Sequence, residues 1–404
     1  MEHLVIVGGG PAAHHAAKGF LNAQPRGRIS LVSAERQLPY DRPQLSKGLL
    51  SGDSTQPLLL ADPALHEHGQ VAWLSGVTVN EIDRQQARVH LDDGRTLGYD
   101  KLLIATGSRV RRLPETVAQA PVHYLRTFED ALALRRRLVE GAHVVVIGGG
   151  FIGLEVAATA RQRGCQVTVI EAQPRLLARS GCPALGEWAQ GLHTQQGVDV
   201  QVGVSLIAIE PGPAGQTLVC TGAGTLTADV VVVGIGVQPN VELASACGLA
   251  VDDGIVVDRH CATQDPTIFA AGEVTRYPLT RLATHTRSES WTVAGEQGGV
   301  AGRAAAGDES AVYEQMPWLW SDQYSSTLQC LGLPGLTHRY TYLGDPHSDQ
   351  WLALGWNAEQ RLVCAIAANR NRDLSAVRRA IRRNEPLADL YTSTLASAPT
   401  HTGA

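Results

Sequence analysis

Residues 3–17 read HLVIVGGGPAAHHAA, and residues 143–158 read HVVVIGGGFIGLEVAA. This internal repeat decides the fold. In each copy a run of aliphatic, largely β-branched residues forms a strand buried on both faces, a glycine cluster turns the chain, and an alanine-rich stretch begins a helix. Each copy then continues into a second strand, ISLVS at 29–33 and VTVIE at 167–171. Two βαβ openings result, each about the 30 residues that such a unit takes. The apolar stretch from Val144 to Ala160 is therefore a strand, a turn and a helix rather than a membrane span, since it carries four glycines and Glu155.

The glycine spacing has a mechanical reason. Gly8, Gly10 and Ala13 give G-x-G-x-x-A, and Gly148, Gly150 and Gly153 give G-x-G-x-x-G. The first glycine permits the tight turn, the second lets the backbone approach a pyrophosphate, and the third position packs the helix closely on its strand. The phosphates then meet free amides and the positive end of the helix dipole. One such motif is a weak signal; two at strand-to-helix junctions predict two dinucleotides. Glu171 closes the second strand of the second unit, where a carboxylate accepts ribose hydroxyls and repels a 2′-phosphate, so NADH is expected over NADPH. Arg175 nearby is read as an exposed arginine. The first unit has Ser33 at the matching position and Glu35 two residues on, within reach of a ribose.

The 404 residues exceed what one core comfortably holds. Hydrophobic residues at 44% and charged residues at 18% describe a globular chain rather than a disordered one. A formal charge of −5 offers no whole-protein attraction to phosphate backbones or anionic membranes, so neither nucleic acid nor membrane is an expected partner. The sequence opens at once on a strand, with no export signal visible. Seven cysteines, an odd number without short paired spacing, read as reduced thiols, and the expected location is cytoplasmic. Their dispersal also argues against a redox disulfide, a bound iron–sulfur cluster or a metal site. His14 and His15 lie along the first helix without a ligand or acid partner at a recognisable spacing.

Elsewhere, VHLDDGRTL around Asp93 and Gly94 reads as a hairpin. The strand-to-glycine pattern of DKLLIATGS returns in ADVVVVGIGVQPN and TIFAAGEV. From about Pro317 shorter strands follow (TLQCLGL, RYTYLG, WLALGW, LVCAIAANR), then a basic helix from Asp373 and a loose tail ending in ASAPTHTGA.

With LPYDRPQLSKGLL at 38–50, IATGS, GGGFIGLE, VVVGIG, AGEV, ESW and PWLWSDQY, the chain resembles the NADH-dependent ferredoxin reductases of oxygenase systems from residue 1 to about 385. PWLWSDQY together with ESW is more similar to the reductases of aromatic-ring dioxygenases than to those serving cytochromes P450. The resemblance implies an α/β fold of the glutathione-reductase type: two Rossmann-like nucleotide-binding domains and a small C-terminal α+β domain. It implies a discontinuous FAD-binding domain over 1–112 and 243–316, an NADH-binding domain over 113–242, and the C-terminal domain with its tail over 317–404. It further implies that bound FAD takes a hydride from NADH and releases two single electrons to a 2Fe–2S ferredoxin, Rieske-type included, met transiently.

By the same resemblance the FAD site takes in Gly8, Gly10, Ala13, Glu35, Arg42, Lys47, Ala105, Thr106, Gly107, Gly272, Glu273, Ser290 and Trp291. The NADH site takes in Gly148, Gly150, Phe151, Ile152, Gly153, Glu155, Glu171 and Gly236. Lys47, near the flavin N5, pairs with Glu155 at the nicotinamide side, and Trp320 lies by the nicotinamide pocket; these three are the expected catalytic residues. The chemistry agrees, since an ammonium stabilises a reduced flavin and an acid after the turn orients a carboxamide. Hydride passage needs the two rings about 3 to 3.5 Å apart. Two departures stand out: Glu273 replaces the family's usual aspartate, and Val293 stands where an asparagine is common.

An acidic ferredoxin calls for a basic docking face. The candidates are Arg109, Arg111 and Arg112, and the helix carrying Arg378, Arg379, Arg382 and Arg383 at three- and four-residue spacing. Other readings of the same chain are a P450-system reductase, a quinone or peroxide reductase, and an NADH-sensing flavoprotein. The oligomeric state is left open by the sequence.

Overall fold

A computed structural model describes residues 2–60, 65, 69–383 and 385 together with the strand His401–Thr402. The chain forms two compact units, one from residues 1–42, 57–109 and 237–317, the other from 43–56, 110–236 and 318–404. The division cuts through the PYDRPQLSK motif, so that Arg42 belongs to the first unit and Lys47 to the second.

The first unit is built on a five-stranded parallel sheet in the order Ile268–Ala270, Lys101–Ile104, His3–Val7, Arg28–Ser33, Val71–Ser75. His3–Val7 is buried throughout, as an aliphatic strand at the centre of a parallel sheet must be. Each such Val, Leu or Ile contributes about 1.5–3 kcal/mol by leaving water. Helices Pro11–Ala23 and Trp291–Ala305 pack backbone against backbone. A side chain at Gly298 or Gly302 would put a Cβ 2.3 Å from the Ala12 carbonyl oxygen or 2.0 Å from that of Ala16. His14 and His15 both lie on the first of these helices, their rings 5.2 Å apart and edge to face. The Asp-Gly hairpin is present, with Arg88–Leu91 paired to Thr96–Gly98.

The second unit carries a four-stranded parallel sheet, ordered Asp199–Val202, Gln166–Glu171, His143–Ile147, Val230–Val233. His143–Ile147 leads straight into helix Phe151–Gln162. The same unit holds a six-stranded antiparallel sheet, ordered Trp318–Gln323, Ser326–Gly332, Leu362–Ala368, Trp351–Trp356, Arg339–Leu343, His401–Thr402. Helix Asn371–Arg383 lies against its strands Leu362–Ala368 and Ser326–Gly332. Apart from His401 and Thr402, the tail expected from the sequence lies outside the described residues. No helix among the described residues is long and apolar enough to cross a membrane, and no group of three or more His, Cys, Asp or Glu among them forms a metal cluster.

Candidate functional site

The first glycine of each turn meets its neighbour with no room for a side chain. Gly8, at φ +130°, would put a Cβ 2.1 Å from the Ala105 carbonyl oxygen, so the first turn abuts the IATGS strand end. Gly10 caps helix Pro11–Ala23 without a side-chain hydrogen bond, and Ala13 is fully buried against the strand. Among the described residues, the atom nearest the place of a Cβ on Gly10 is Arg42 Nε, at 3.9 Å. An uncapped helix start with a guanidinium over it is the environment a pyrophosphate requires, and FAD fits there.

The flanking loops are held by groups outside the motifs. Asn240 accepts no substitute easily: its Nδ2 donates to the Thr106 carbonyl at 2.9 Å, its amide donates to that of Gly107, and its own carbonyl accepts from Thr106 Oγ1. Gln297, fully buried on helix Trp291–Ala305, accepts through Oε1 from the Gly272 amide at 2.7 Å and from Thr275 Oγ1 at 2.9 Å. It thereby fixes the turn that carries Glu273. Ser290 caps the same helix by accepting from the Val293 amide, and Trp291 opens it. Val293 is a buried core residue, so the space of the family's asparagine is taken up by apolar packing.

Glu35 and Arg42 are brought together. Arg42 donates to Glu35 Oε1, Tyr40 donates to Glu35 Oε2 at 2.6 Å, and the Arg42 guanidinium also stands 5.1 Å over the Tyr40 ring. Burial works against the Arg42 charge, but Tyr40 and Glu35, with Glu273 behind them, more than offset it, and its pKa is raised. Arg42 therefore stays charged beside the first turn, and the Glu35 carboxylate expected to reach a ribose is shared with it.

In the second unit Gly148, at φ +107°, would bring a Cβ within 2.4 Å of the Gly234 carbonyl oxygen. Gly153 would meet that of Gly148 at 2.2 Å, so the third glycine does bring the helix onto the turn. Gly150 caps helix Phe151–Gln162 with no side-chain hydrogen bond, and no atom of the described residues lies within 4 Å of where its Cβ would be. Glu171 accepts from the Gly149 amide and the Gln173 amide, each at 2.7 Å, which aims the carboxylate along the turn. Arg175 departs from the reading of an exposed side chain. It is half-buried along helix Pro183–Gln195, close to Gly186, because its aliphatic stem covers that helix. Ile152 and Ile235 are 50% and 39% exposed, an apolar pair left open at the mouth of the turn. Gly236, at φ +98°, lies by Arg179, whose Nη1 would be 3.3 Å from a Cβ there. NADH fits this turn as FAD fits the first.

Glu155, on the first turn and a half of that helix, is 3% exposed and holds three donors. Lys47 Nζ donates to Oε1 at 3.0 Å, Ser321 Oγ donates to Oε1 at 2.6 Å, and Ser46 donates to Oε2. Thr159, one helical turn on, donates to the Ser46 carbonyl at 2.8 Å and anchors the segment that carries both Ser46 and Lys47. Phe151, at the helix start, is half-buried. Trp320 is half-buried and stacks on Trp318, with centroids 5.4 Å apart, and Arg378 stands 4.1 Å over the Trp318 ring.

The sequence reading missed Ser46, Ser321, Asn240, Gln297 and Tyr40. Ser46 and Ser321 sit inside quoted motifs and were within reach of inspection. Gln297 and Asn240 act on residues 25 and 134 positions away, which only the fold reveals. Of the two basic candidates, the loop arginines are exposed but already engaged by neighbouring groups, whereas on the helix Arg383 meets only the nearby Glu385, at 3.6 Å, among the ion pairs of the described residues. Arg109 binds Glu242 at 2.7 Å and Asn240 Oδ1 at 2.8 Å, Arg112 stands over the Tyr124 ring, and Arg111 lies by Gly236. Arg379, Arg382 and Arg383 are exposed on one stretch of helix Asn371–Arg383.

Comparison with known proteins gives a consistent set. The profile of the pyridine nucleotide-disulphide oxidoreductases matches residues 2–298, and a reductase C-terminal profile matches residues 318–392. The chain is 48% identical over 382 residues to the anthranilate 1,2-dioxygenase system ferredoxin–NAD(+) reductase component of Burkholderia cepacia, covering 94% of each. It is 36% identical to the p-cumate 2,3-dioxygenase system ferredoxin–NAD(+) reductase component of Pseudomonas putida, covering 95% of this chain and 94% of the relative. Among solved structures it is similar to the reductase chain of the covalent putidaredoxin reductase–putidaredoxin complex, with a TM-score of 0.89, 36% identity, and coverage of 94% and 93%.

Proposed function

Because the chain belongs to the pyridine nucleotide-disulphide oxidoreductase family, we propose that it is the NADH-oxidising, FAD-containing ferredoxin reductase of an aromatic-ring dioxygenase system. The observation that carries this reading is the Glu155 cluster. A buried carboxylate with three protein donors on about four acceptor positions keeps one position on Oε2 for a further donor, which the carboxamide of a nicotinamide supplies.

When bound, FAD accepts a hydride from NADH and passes the two electrons on singly. The protein's own residues bind and orient. Arg42 and the uncapped turn at Gly8, Gly10 and Ala13 hold the FAD pyrophosphate, with Ala105, Thr106, Gly107, Gly272, Glu273, Ser290 and Trp291 along the rest of the cofactor. Gly148, Gly150, Phe151, Ile152 and Gly153 receive NADH, Glu171 takes its ribose, and Gly236 closes the far side. Glu155 orients the carboxamide, Lys47 carries the positive charge that a reduced flavin calls for, and Trp320 covers the nicotinamide pocket. We assign FAD to residues 1–112 and 243–316, NADH to 113–242, and ferredoxin presentation to 317–404.

The ferredoxin is a 2Fe–2S protein, Rieske-type centres included, and it docks transiently on the exposed arginines of helix Asn371–Arg383. Seven unpaired cysteines favour a reducing, cytoplasmic setting. Anaerobic addition of NADH to the purified yellow protein tests the core of the reading, followed by assays against a panel of 2Fe–2S proteins, ferricyanide and quinones. A flavin that NADH does not bleach, or one that prefers quinones to every ferredoxin, overturns it.

A further inference from the structure

We infer that His193 and Gln323 are positioning residues for Glu155, acting through Ser321 along a one-way chain of buried hydrogen bonds. The inference rests on the proposed role of Glu155 toward NADH and adds to it two residues that the reading above leaves without a task.

His193 is completely buried on helix Pro183–Gln195, Gln323 is 1% exposed, and Ser321 is completely buried. Ser321 and Gln323 are two apart on strand Trp318–Gln323 and so share one face, while Asp322 between them points the other way and accepts from Thr327 Oγ1. A polar triplet of this size sealed in a core costs stability unless every member is satisfied, and here each one is.

The direction of every bond follows from the carboxylate. An ionised Glu155 only accepts, so the Ser321 hydroxyl must donate to Oε1, at 2.6 Å. The Ser321 oxygen is then left to accept, and Gln323 Nε2 donates to it at 3.1 Å. That orients the amide with Oε1 toward His193, whose Nε2 lies 2.9 Å away and must carry the hydrogen. The other ring nitrogen, Nδ1, is thereby an acceptor, and Tyr324 supplies a hydroxyl at 3.3 Å. Four donors in series point at one carboxylate. A neutral imidazole lets Nδ1 accept from Tyr324 while Nε2 donates to Gln323, and burial lowers the His193 pKa, which favours that form.

Such a chain does not touch a nicotinamide. It holds Oε1 of Glu155, the oxygen that also accepts from Lys47, so that with Ser46 on Oε2 the remaining position on Oε2 has one direction. Without it the carboxylate keeps its lysine and turns about that contact.

The test is the limiting rate at which NADH bleaches the flavin of the intact holoenzyme under stopped flow, with FAD content and thermal midpoint recorded alongside. Gln323→Leu is expected to slow that rate roughly fivefold to tenfold, with FAD content unchanged, and Ser321→Ala to do about the same. The double variant should be no slower than Ser321→Ala, since the relay reaches Glu155 only through that serine. A merely structural role would make the two losses add. Gln323→Glu keeps the side-chain shape but sets a second acceptor against Ser321, and it should show the same loss if the leucine variant does not fold. A bleaching rate at the wild-type value in Gln323→Glu or Gln323→Leu, or additive losses in the double variant, overturns the relay alone. A wild-type flavin untouched by NADH overturns the reading on which it rests.

Discussion

Removing Lys47 should destabilise the second unit more than removing Glu155, and removing both should cost less than the sum. The two groups meet at 3.0 Å, with 19% of the lysine side chain and 4% of the glutamate side chain exposed. At that distance and an effective permittivity of about 20, Coulomb attraction is about 5 kcal/mol. The lysine keeps a wet edge, so about half of that, 2–3 kcal/mol, is the coupling expected in practice. Lys47→Met strands an anion that only Ser46 and Ser321 then satisfy, and should cost about 3 kcal/mol. Glu155→Gln leaves an ammonium that can turn toward water and an amide that still accepts, and should cost about 1.5 kcal/mol. The double variant, with neither charge, should lie near 2 kcal/mol, giving a coupling of roughly 2–3 kcal/mol. Urea midpoints read by tryptophan fluorescence on the four proteins measure the cycle. A coupling below about 0.5 kcal/mol, or a glutamine variant less stable than the methionine one, would refute the claim that this pair is buried and mutually dependent.

Charge reversal at Arg379 and Arg383 together should slow ferredoxin reduction about tenfold at low salt and leave NADH-to-ferricyanide turnover intact; the difference should shrink as ionic strength rises. Equal loss in both assays would remove that helix from the docking face. Gly148→Ala forces a Cβ toward the Gly234 carbonyl at a φ of +107° and should weaken NADH binding about tenfold while FAD stays bound, because strain of this kind costs roughly 1–3 kcal/mol. Equilibrium titration with NADH and the flavin absorbance of the purified variant check both halves. Acidification should destabilise the protein through His193: burial depresses its folded pKa, so the unfolded chain takes up protons first. That stability is whole above about pH 6.5 and is lost as pH falls from there through the folded value. His3 and His123, also depressed by burial, act in the same direction. Urea midpoints that do not fall between pH 7.5 and 5.5, or that fall equally in His193→Asn, would contradict the assignment.

Both glycine turns, Glu171 at a strand end, the Asp-Gly hairpin and the C-terminal run of strands were legible because they are local. A turn that needs φ above zero selects glycine, a doubly buried strand selects aliphatic residues, and a ribose-facing position at a strand end suits a carboxylate; each leaves its mark within a few neighbouring residues. Arg175 misled for the same reason in reverse. Its immediate neighbours suggest an exposed side chain, and only the folding back of the helix at Gly186, 11 residues on, gives its stem something to cover.

By itself, then, the order of residues determined two dinucleotide turns and the elements flanking them, and by resemblance the electron-transfer chemistry they serve. Only the tertiary structure decided which distant groups meet those turns and acids: Gln297 on Gly272, Asn240 on Thr106 and Gly107, Ser46 and Ser321 on Glu155, and Gln323 and His193 in line behind Ser321. The physical reason is that backbone preference acts over neighbouring residues, whereas a buried polar atom must find a partner wherever the packed chain happens to bring one, and sequence separation does not limit that search.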